Sequence, residues 1–344
     1  MTKDFLLNIK EPRVDDRPMW DIIFAVYGYP ALLLAHKLKV FSLLADGSRT
    51  ILDICNALKI EERPAEAILT VATSLGFLTL QDERYALTPL SEDYLLETSP
   101  NYWGYFWDLM IENHQVCSFQ SLEKAITTNT AQVRGGKDLF NSPEEQIELL
   151  HQFVPGMRSI SQASSLVWPK LLDLSQYRLM LDIGGSSGSH AIGATSKLPN
   201  LQAIVVDFPQ VCAIAHEYIM QYGVQDRVKT HAANIWNDHW PSADLHFFAH
   251  AYHDWSPEKC SFLTDKSFFS LEPGGRIIIN EVLYNDEKTG AFAAAAFSMI
   301  RMGWTEGKQY SGRELTEMLK NSGFVDIQIH PAFGYYSIVT GRKT

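Results

Sequence analysis

The chain has 344 residues, 46% of them hydrophobic and 20% charged, with 29 basic against 40 acidic residues and a formal net charge of −11. That balance is ordinary for a soluble globular protein and argues against nucleic acid as the main partner, because phosphate contacts need clustered Lys and Arg. Four well-separated cysteines, Cys55, Cys117, Cys212 and Cys260, form no C-x-x-C pair, which disfavours a zinc or disulfide framework and fits a reducing cytoplasm.

The opening "MTKDFLLNIKEPRVDDRP" lacks the apolar core of a signal peptide, and no apolar run reads as long enough to span a bilayer. "WDIIFAVYGYPALLLAHKLKVFSLLA" reads as one or two helices, apolar nearly all round, which need burial on every side. Gly28 and Pro30 are expected to kink or break it. "TILDICNALKI" opens on a capping box, with Thr50 as cap and Asp53 three residues on. "RPAEAILTVATSLGF" is the next helix, with Pro64 in its first turn. "FLTLQDERYALTPL" alternates around a polar turn and reads as a hairpin. Helix, helix, hairpin is a winged-helix pattern. Its second helix carries one Arg and one Glu, too few charges for a DNA groove, so a protein–protein surface is expected. A helical segment follows, in which "NYWGYFWDLMIEN" and "LLHQFVPGMRSIS" supply aromatics and Met for a core or a pocket wall.

From about residue 176 the pattern becomes strand and helix in alternation. "RLMLDIG", "LQAIVVDF", "ADLHFFAHAY" and "GRIIINEVLY" are strand-like, and "SHAIGATSKL", "PQVCAIAHEYIMQYG" and "PEKCSFLTDKSFFSL" are helices between them. This predicts an α/β fold, a Rossmann-like parallel sheet with ligands at the carboxyl ends of its strands. The first such end is "LDIGGSSGSHA". It fails the G-x-G-x-x-G dinucleotide pattern, because Ser186 and Ser189 stand at the second and third glycine positions. What remains is Asp182, Gly184, Gly185 and Gly188. Asp207 ends the next strand, where a carboxylate can accept both hydroxyls of a ribose. A ligand with a ribose and no phosphate fits: S-adenosylmethionine.

"LDIGGSSG", "VVDFPQV", "AYHDWSPEKC", "LEPGGRIIINE" and "TEGKQYSGRELTEMLKNSGF", in that order, closely resemble the motifs of small-molecule O-methyltransferases of the plant caffeic-acid and animal acetylserotonin type. The resemblance covers nearly the whole chain. It implies a winged-helix dimerisation domain over 1–100, a helical linker and substrate-pocket segment over 101–175, and a methyltransferase domain over 176–344. It further implies a homodimer, no membrane partner and a small aromatic or polyketide-like acceptor. Asp182, Gly184, Gly185, Ser186 and Gly188 would lie along the methionine part of the cofactor. Asp207 and Phe208 would hold the ribose end, Asn234 and Ile235 would flank the adenine, and His250 would lie nearby. Asn234 replaces a family Asp. His253 matches the catalytic base and Glu281 the acid that orients it. The family's second acid is replaced by Gln309.

The chemistry agrees with those roles. A sulfonium departs as neutral sulfur, so only the acceptor's proton needs a base. A phenol ionises at about 10 and an imidazole at about 6.5, so His can assist at neutral pH, and a paired Glu281 would raise that value. Met110, His114, Phe119, Phe153, Met157, Met299, Met302 and Trp304 are the expected apolar pocket. Two rivals remain. His246, His250, His253 and Asp254 invite a metal, as in iron-dependent C-methyltransferases of 2-keto acids. In a strand, 246 and 250 share one face and 253 points the other way. The segment "FAAAAFSMIRMGWTEG" lacks the further His those enzymes need, so no metal is expected. Loss of catalysis with the cofactor kept as a scaffold is the other rival, opposed by His253 and Glu281 both being present.

Overall fold

A computed structural model describes residues 11–133 and 147–344. The reading of a leaderless start rests in part on residues 1–10, and the middle of the helical segment on 134–146; both lie outside the described residues. The chain divides into two compact units, Met1–Tyr102 and Trp103–Thr344.

In the first unit, α1 (Arg17–Lys37) starts with proline in its opening turn, where a missing N–H removes no ladder bond. It runs through Pro30 without the expected break. The chain turns instead at Lys39, which takes a left-handed φ of 61° and caps α2 (Val40–Leu44). The expected all-round burial is also absent within one chain. Only Leu32, Ala35 and His36 of α1 are buried, while Met19, Ile22, Phe24, Val26 and Tyr27 are exposed. By length and composition alone α1 could cross a membrane, which corrects the reading that no run is long enough. Arg49–Thr50 (β1) leads into α3 (Ile51–Leu58), which carries the capping box: Thr50 Oγ1 accepts from Asp53 N, and the Asp53 carboxylate accepts from Thr50 N. Helix α4 (Glu62–Ser74) and the hairpin β2 (Leu78–Gln81) and β3 (Arg84–Leu87) follow as read, joined through Asp82 and Glu83, both at positive φ. The three strands pair in the order β1-β3-β2, and α5 (Pro89–Leu95), capped by Thr88, closes the unit.

The second unit begins with α6 (Gly104–Glu112), α7 (Phe119–Thr128) and α8 (Ile147–Ser165). Next come β4 (Leu179–Ile183), α9 (Ser189–Lys197), β5 (Gln202–Asp207), α10 (Pro209–Gln221), β6 (Val228–Ala232), β7 (Ala243–Ala249), α11 (Pro257–Ser270) and β8 (Leu271–Val282). The chain ends with α12 (Phe292–Trp304), α13 (Gly312–Asn321), β9 (Val325–Pro331) and β10 (Tyr336–Arg342). The sheet is Rossmann-like, ordered β6-β5-β4-β7-β8-β10-β9. Strands β4 to β8 are parallel, β10 runs antiparallel beside β8, and β9, antiparallel to β10, runs in the direction of the first five. Leu181, Ile183, Phe248, Ile277 and Ile279 pack on one face of the sheet, and Met180, Val205, Phe247 and Ile278 on the other. Burial on both faces is why these strands read as unbroken apolar runs. From β4 the chain goes to β5 on one side and to β7 on the other. That reversal is a topological switch point, and the glycine turn sits beside it.

Candidate active site

The turn after β4 brings backbone close to the cavity. Gly184 and Ser186 are at positive φ, and Gly188, also at positive φ, caps α9. A Cβ on Gly185 would lie 2.7 Å from the Asp182 carboxyl carbon, so only glycine fits. Asp182 is buried; one carboxylate oxygen accepts from Ala191 N at 3.1 Å and the other has no partner. At the end of β5, Asp207 accepts from Ser186 N at 2.9 Å and from Phe208 N at 2.8 Å, tying the two strand ends together. Burial pushes the Asp182 carboxyl up to about 7 and that of Asp207 up to about 6. A pair of shielded carboxylates, an orphaned acceptor and backbone without a phosphate-binding pattern suit a ligand bearing hydroxyls and positive charge.

The same cavity is lined by Phe208, Ile235, His250, His253, Asp254, Trp255 and Arg301. His253 sits in a single 3-10 turn, Tyr252–Asp254, after β7. Its Nδ1 donates to Glu281 Oε2 at 2.7 Å, and its backbone N donates to Glu281 Oε1 at 3.3 Å. The carboxylate thereby fixes the ring and leaves Nε2 with its lone pair. Arg301 Nη1 stands 3.3 Å from that Nε2 and donates to Asp254 Oδ1 at 2.9 Å. Burial lowers the affinity of His253 for a proton; Asp254 opposes this and the Arg301 charge adds to it. Burial likewise raises the Glu281 carboxyl. The expectation that Glu281 would lift the imidazole above 6.5 is therefore corrected: desolvation outweighs the pairing. A Cβ on Gly307 would lie 2.2 Å from the His253 carbonyl oxygen, so the loop before α13 closes on the turn that carries His253 only because that residue is glycine.

Several expected site residues stand elsewhere. Gln309 is fully buried, but its Nε2 donates to Val282 O at 2.7 Å. It braces the end of β8 and makes no hydrogen bond to the imidazole. Asn234 Oδ1 accepts from Trp236 N at 2.9 Å in a local turn, and its neighbours Ala233, Ile235 and Trp236 line the cavity. Gly188 shapes the turn and does not line the cavity. Of the eight expected pocket residues, Phe153 and Met157 on α8 line the cavity. Met110 and Trp304 pack in a neighbouring core cluster. His114, Phe119 and Met299 are exposed, and Met302 is outside the lining. The helical period explains the last two: α12 presents Arg301 to the cavity, which turns 299 and 302 aside. Arg301 had no assigned role in the sequence reading, and Asp254 was weighed there only as part of a metal cluster. A lone cation in "FAAAAFSMIRMGW" was the available signal.

The histidines depart from the strand-based reading. The chain leaves β7 at Ala249 and His250 takes φ 52°, so alternation stops there. The rings of His250 and His253 come within 5.5 Å, while His246 pairs with Ser267 in the core. Among the described residues, no three His, Cys, Asp or Glu side chains are arranged to hold a metal ion.

Comparison with known proteins follows the same division. A family model described as an O-methyltransferase domain matches residues 119–325, and one described as an O-methyltransferase dimerisation domain matches 20–97. A Streptomyces sahachiroi protein described as 3-hydroxy-5-methyl-1-naphthoate 3-O-methyltransferase is 29% identical, over 90% of this chain and 89% of its own. A Streptomyces lavendulae protein described as L-tyrosine C(3)-methyltransferase is 30% identical, over 88% of this chain and 85% of its own. The crystal structure of human N-acetylserotonin methyltransferase in complex with SAM is 25% identical and superimposes with a TM-score of 0.84, covering 97% of this chain and 99% of that one.

Proposed function

From a chain that belongs to the O-methyltransferase family, with that family's dimerisation domain on its N-terminal side, we propose an S-adenosylmethionine-dependent enzyme that methylates a hydroxyl of a small aromatic or polyketide-like metabolite. The observation that carries this reading is one cavity lined both by Asp182 and Asp207 at the glycine turn and by His253, whose ring Glu281 holds from behind. S-adenosylmethionine, when bound, supplies a methyl group on a positively charged sulfur. Asp182, with its free oxygen, meets the positive end of that ligand. Asp207 accepts from ribose hydroxyls with the lone pairs that Ser186 and Phe208 leave over. His253 Nε2 takes the acceptor's proton, Glu281 holds the ring, and Phe153 and Met157 form the apolar wall. Residues 1–100, 101–175 and 176–344 serve as dimerisation domain, pocket segment and catalytic domain.

Asp207→Ala is expected to weaken S-adenosylhomocysteine binding by about 1.5–3 kcal/mol, the range for hydrogen bonds to a charged group. Calorimetric titration measures this, with NAD as the control ligand. The pH dependence has a definite sign. The Asp207 and Asp182 carboxyls are raised to about 6 and about 7, so in the free protein they hold protons at pH 5 and lose them by pH 8. Ligand donors prefer the ionised forms, so affinity should rise across that interval. Tight NAD binding with none for the homocysteine compound would overturn the reading.

The exposed apolar face of α1 supports a homodimer through the N-terminal domain. Light scattering at micromolar concentration should give a dimer. Phe24→Asp should dissociate it, since burying a side chain of that size contributes about 1.5–3 kcal/mol. A monomeric wild type refutes the assignment.

A second reading comes from the tyrosine C(3)-methyltransferase relative. A base that ionises a phenol also activates the ring carbon next to the oxygen, so the same pair serves methylation at carbon. NMR of the product made with 13C-methyl cofactor separates an aryl ether from a ring methyl.

A further inference from the structure

Arg301 is the lone cation of α12 and lines the cavity. Its side chain is 13% exposed, and its guanidinium carbon lies 4.8 Å from the Phe297 ring centroid. Nη1 is shared between Asp254 Oδ1 and His253 Nε2, while Nε is buried without a partner. Pairing with Asp254 alone would not require contact with the imidazole. A guanidinium on the lone pair of a general base occupies the place where the acceptor's O–H must arrive. The point within reach of both Nε2 and Nη1 is therefore the position of the reacting oxygen. A neutral hydroxyl can satisfy Nε2, and only an oxygen carrying negative charge satisfies both groups after the proton has moved.

We propose that Arg301 is a further catalytic residue, whose guanidinium holds the acceptor's oxygen as its anion and restricts the acceptor to phenols or enols, excluding aliphatic alcohols. This rests on the proposed methyl transfer at the same site. The O–H bond breaks, the proton goes to His253 Nε2, and the electron pair stays on oxygen beside the guanidinium. Phenol and free imidazole differ by about 3.5 pKa units, burial of the His253 ring widens that difference, and a nearby opposite charge lowers an acid by about 1–3 units. That narrows the gap for a phenol, more so for one conjugated to a carbonyl, and leaves an aliphatic alcohol out of reach. The other titratable groups around the ring are Asp254, Glu281, His250 and, beyond His250, Tyr336. Arg301 is the only permanent cation in this set.

The test reads binding, so it is separate from turnover. 4-Nitrophenol, which absorbs at different wavelengths as phenol and phenolate, is titrated into the S-adenosylhomocysteine-loaded protein at pH 6, where the free probe is mostly protonated. The wild type should bind it with the phenolate spectrum. Arg301→Met should lose phenolate affinity on the order of 10–100-fold and give the phenol spectrum. Arg301→Lys should keep part of the signal, and His253→Ala should keep the phenolate spectrum. S-adenosylhomocysteine affinity should hold in Arg301→Met even as the melting temperature falls with the loss of the Asp254 pair, so a lost phenolate spectrum at unchanged cofactor affinity is the readout that a merely structural role would not move. Should Arg301→Met fail to fold, the wild-type spectrum and the Arg301→Lys titration decide. A wild type that binds the neutral phenol, or no probe at millimolar concentration, overturns the proposal. So does equal phenolate affinity in Arg301→Met or in Arg301→Lys and a spectrum lost in His253→Ala alone. None of these touches the cofactor reading, whose failure would appear as no S-adenosylhomocysteine binding.

Discussion

His253→Ala is expected to lower methyl transfer at neutral pH by about 10²–10⁴-fold, the usual contribution of a positioned base, with S-adenosylhomocysteine affinity unchanged. The measurement is single-turnover transfer of labelled methyl to the best acceptor in a panel of phenols. In the proposed mechanism His253 meets the acceptor through Nε2, while Asp182 and Asp207 line the cavity beside the glycine turn. Glu281→Gln should be milder, because an amide can still accept from Nδ1 and orient the ring but adds no charge to stabilise an imidazolium. The pH profile follows from the direction of the shift. Burial keeps the His253 imidazole below its ordinary value, so the base form is complete by neutral pH. At saturating cofactor the limb set by the His253 imidazole should lie below 6.5. A limb above 6.5 would mean that Glu281 dominates the site. A near-wild-type rate in His253→Ala would mean that the acceptor ionises without the base, leaving proximity and Arg301 to do the work. Activity lost to a chelator would revive metal-dependent methylation at carbon.

What the sequence disclosed and what it hid follow one physical line. Elements buried on both faces announce themselves, so β4, β5, β7 and β8 were legible as apolar runs. The edge strands β6 and β9 carry mostly half-buried and exposed side chains and have no such signature. β10 lies inside the sheet, but Thr340 and Gly341 interrupt its apolar pattern. The glycine turn, Asp207 and the His253–Glu281 pair were legible because their chemistry is local: glycine where a Cβ would strike Asp182, an acid at a strand end, a His after a strand. Gln309 and Asn234 were placed by position in a motif, and position does not say where an amide points. Gln309 Nε2 donates to Val282 O and Asn234 Oδ1 accepts from Trp236 N, a backbone partner in each case. Arg301 was missed for the opposite reason. Its meaning depends on two residues some fifty positions away, and in sequence it is one charge in an apolar helix. The continuity of α1 through Pro30 was hidden because one missing N–H removes a single ladder bond, whereas Lys39 in a left-handed conformation redirects the chain outright.

Gly307→Ala should cost about 10²-fold in turnover, although residue 307 meets no ligand and carries no chemistry. Its place is fixed by contact: an added Cβ would lie 2.2 Å from the His253 carbonyl oxygen and 2.5 Å from both the Asp254 carbonyl carbon and the Trp255 backbone nitrogen. Those are backbone atoms, so no flexible side chain can yield. Either the loop before α13 retreats or the 3-10 turn that carries His253 moves by a fraction of an ångström to about an ångström. A displacement of about 1 Å in a catalytic group is enough for a 10²-fold loss. The change also overpacks a buried contact, which costs about 1–3 kcal/mol of stability and should appear in the melting temperature. The two effects separate by a further measurement. The 3-10 turn and the glycine turn after β4 lie on different strand ends, so S-adenosylhomocysteine affinity should survive while the rate falls. The bound 4-nitrophenol spectrum should weaken as well, because Nε2 and Arg301 Nη1 lose their register across the oxygen. A variant with full activity and a lowered melting temperature would mean that the loop alone gives way, and that the position of His253 is held from β8, through Glu281, without help from residue 307.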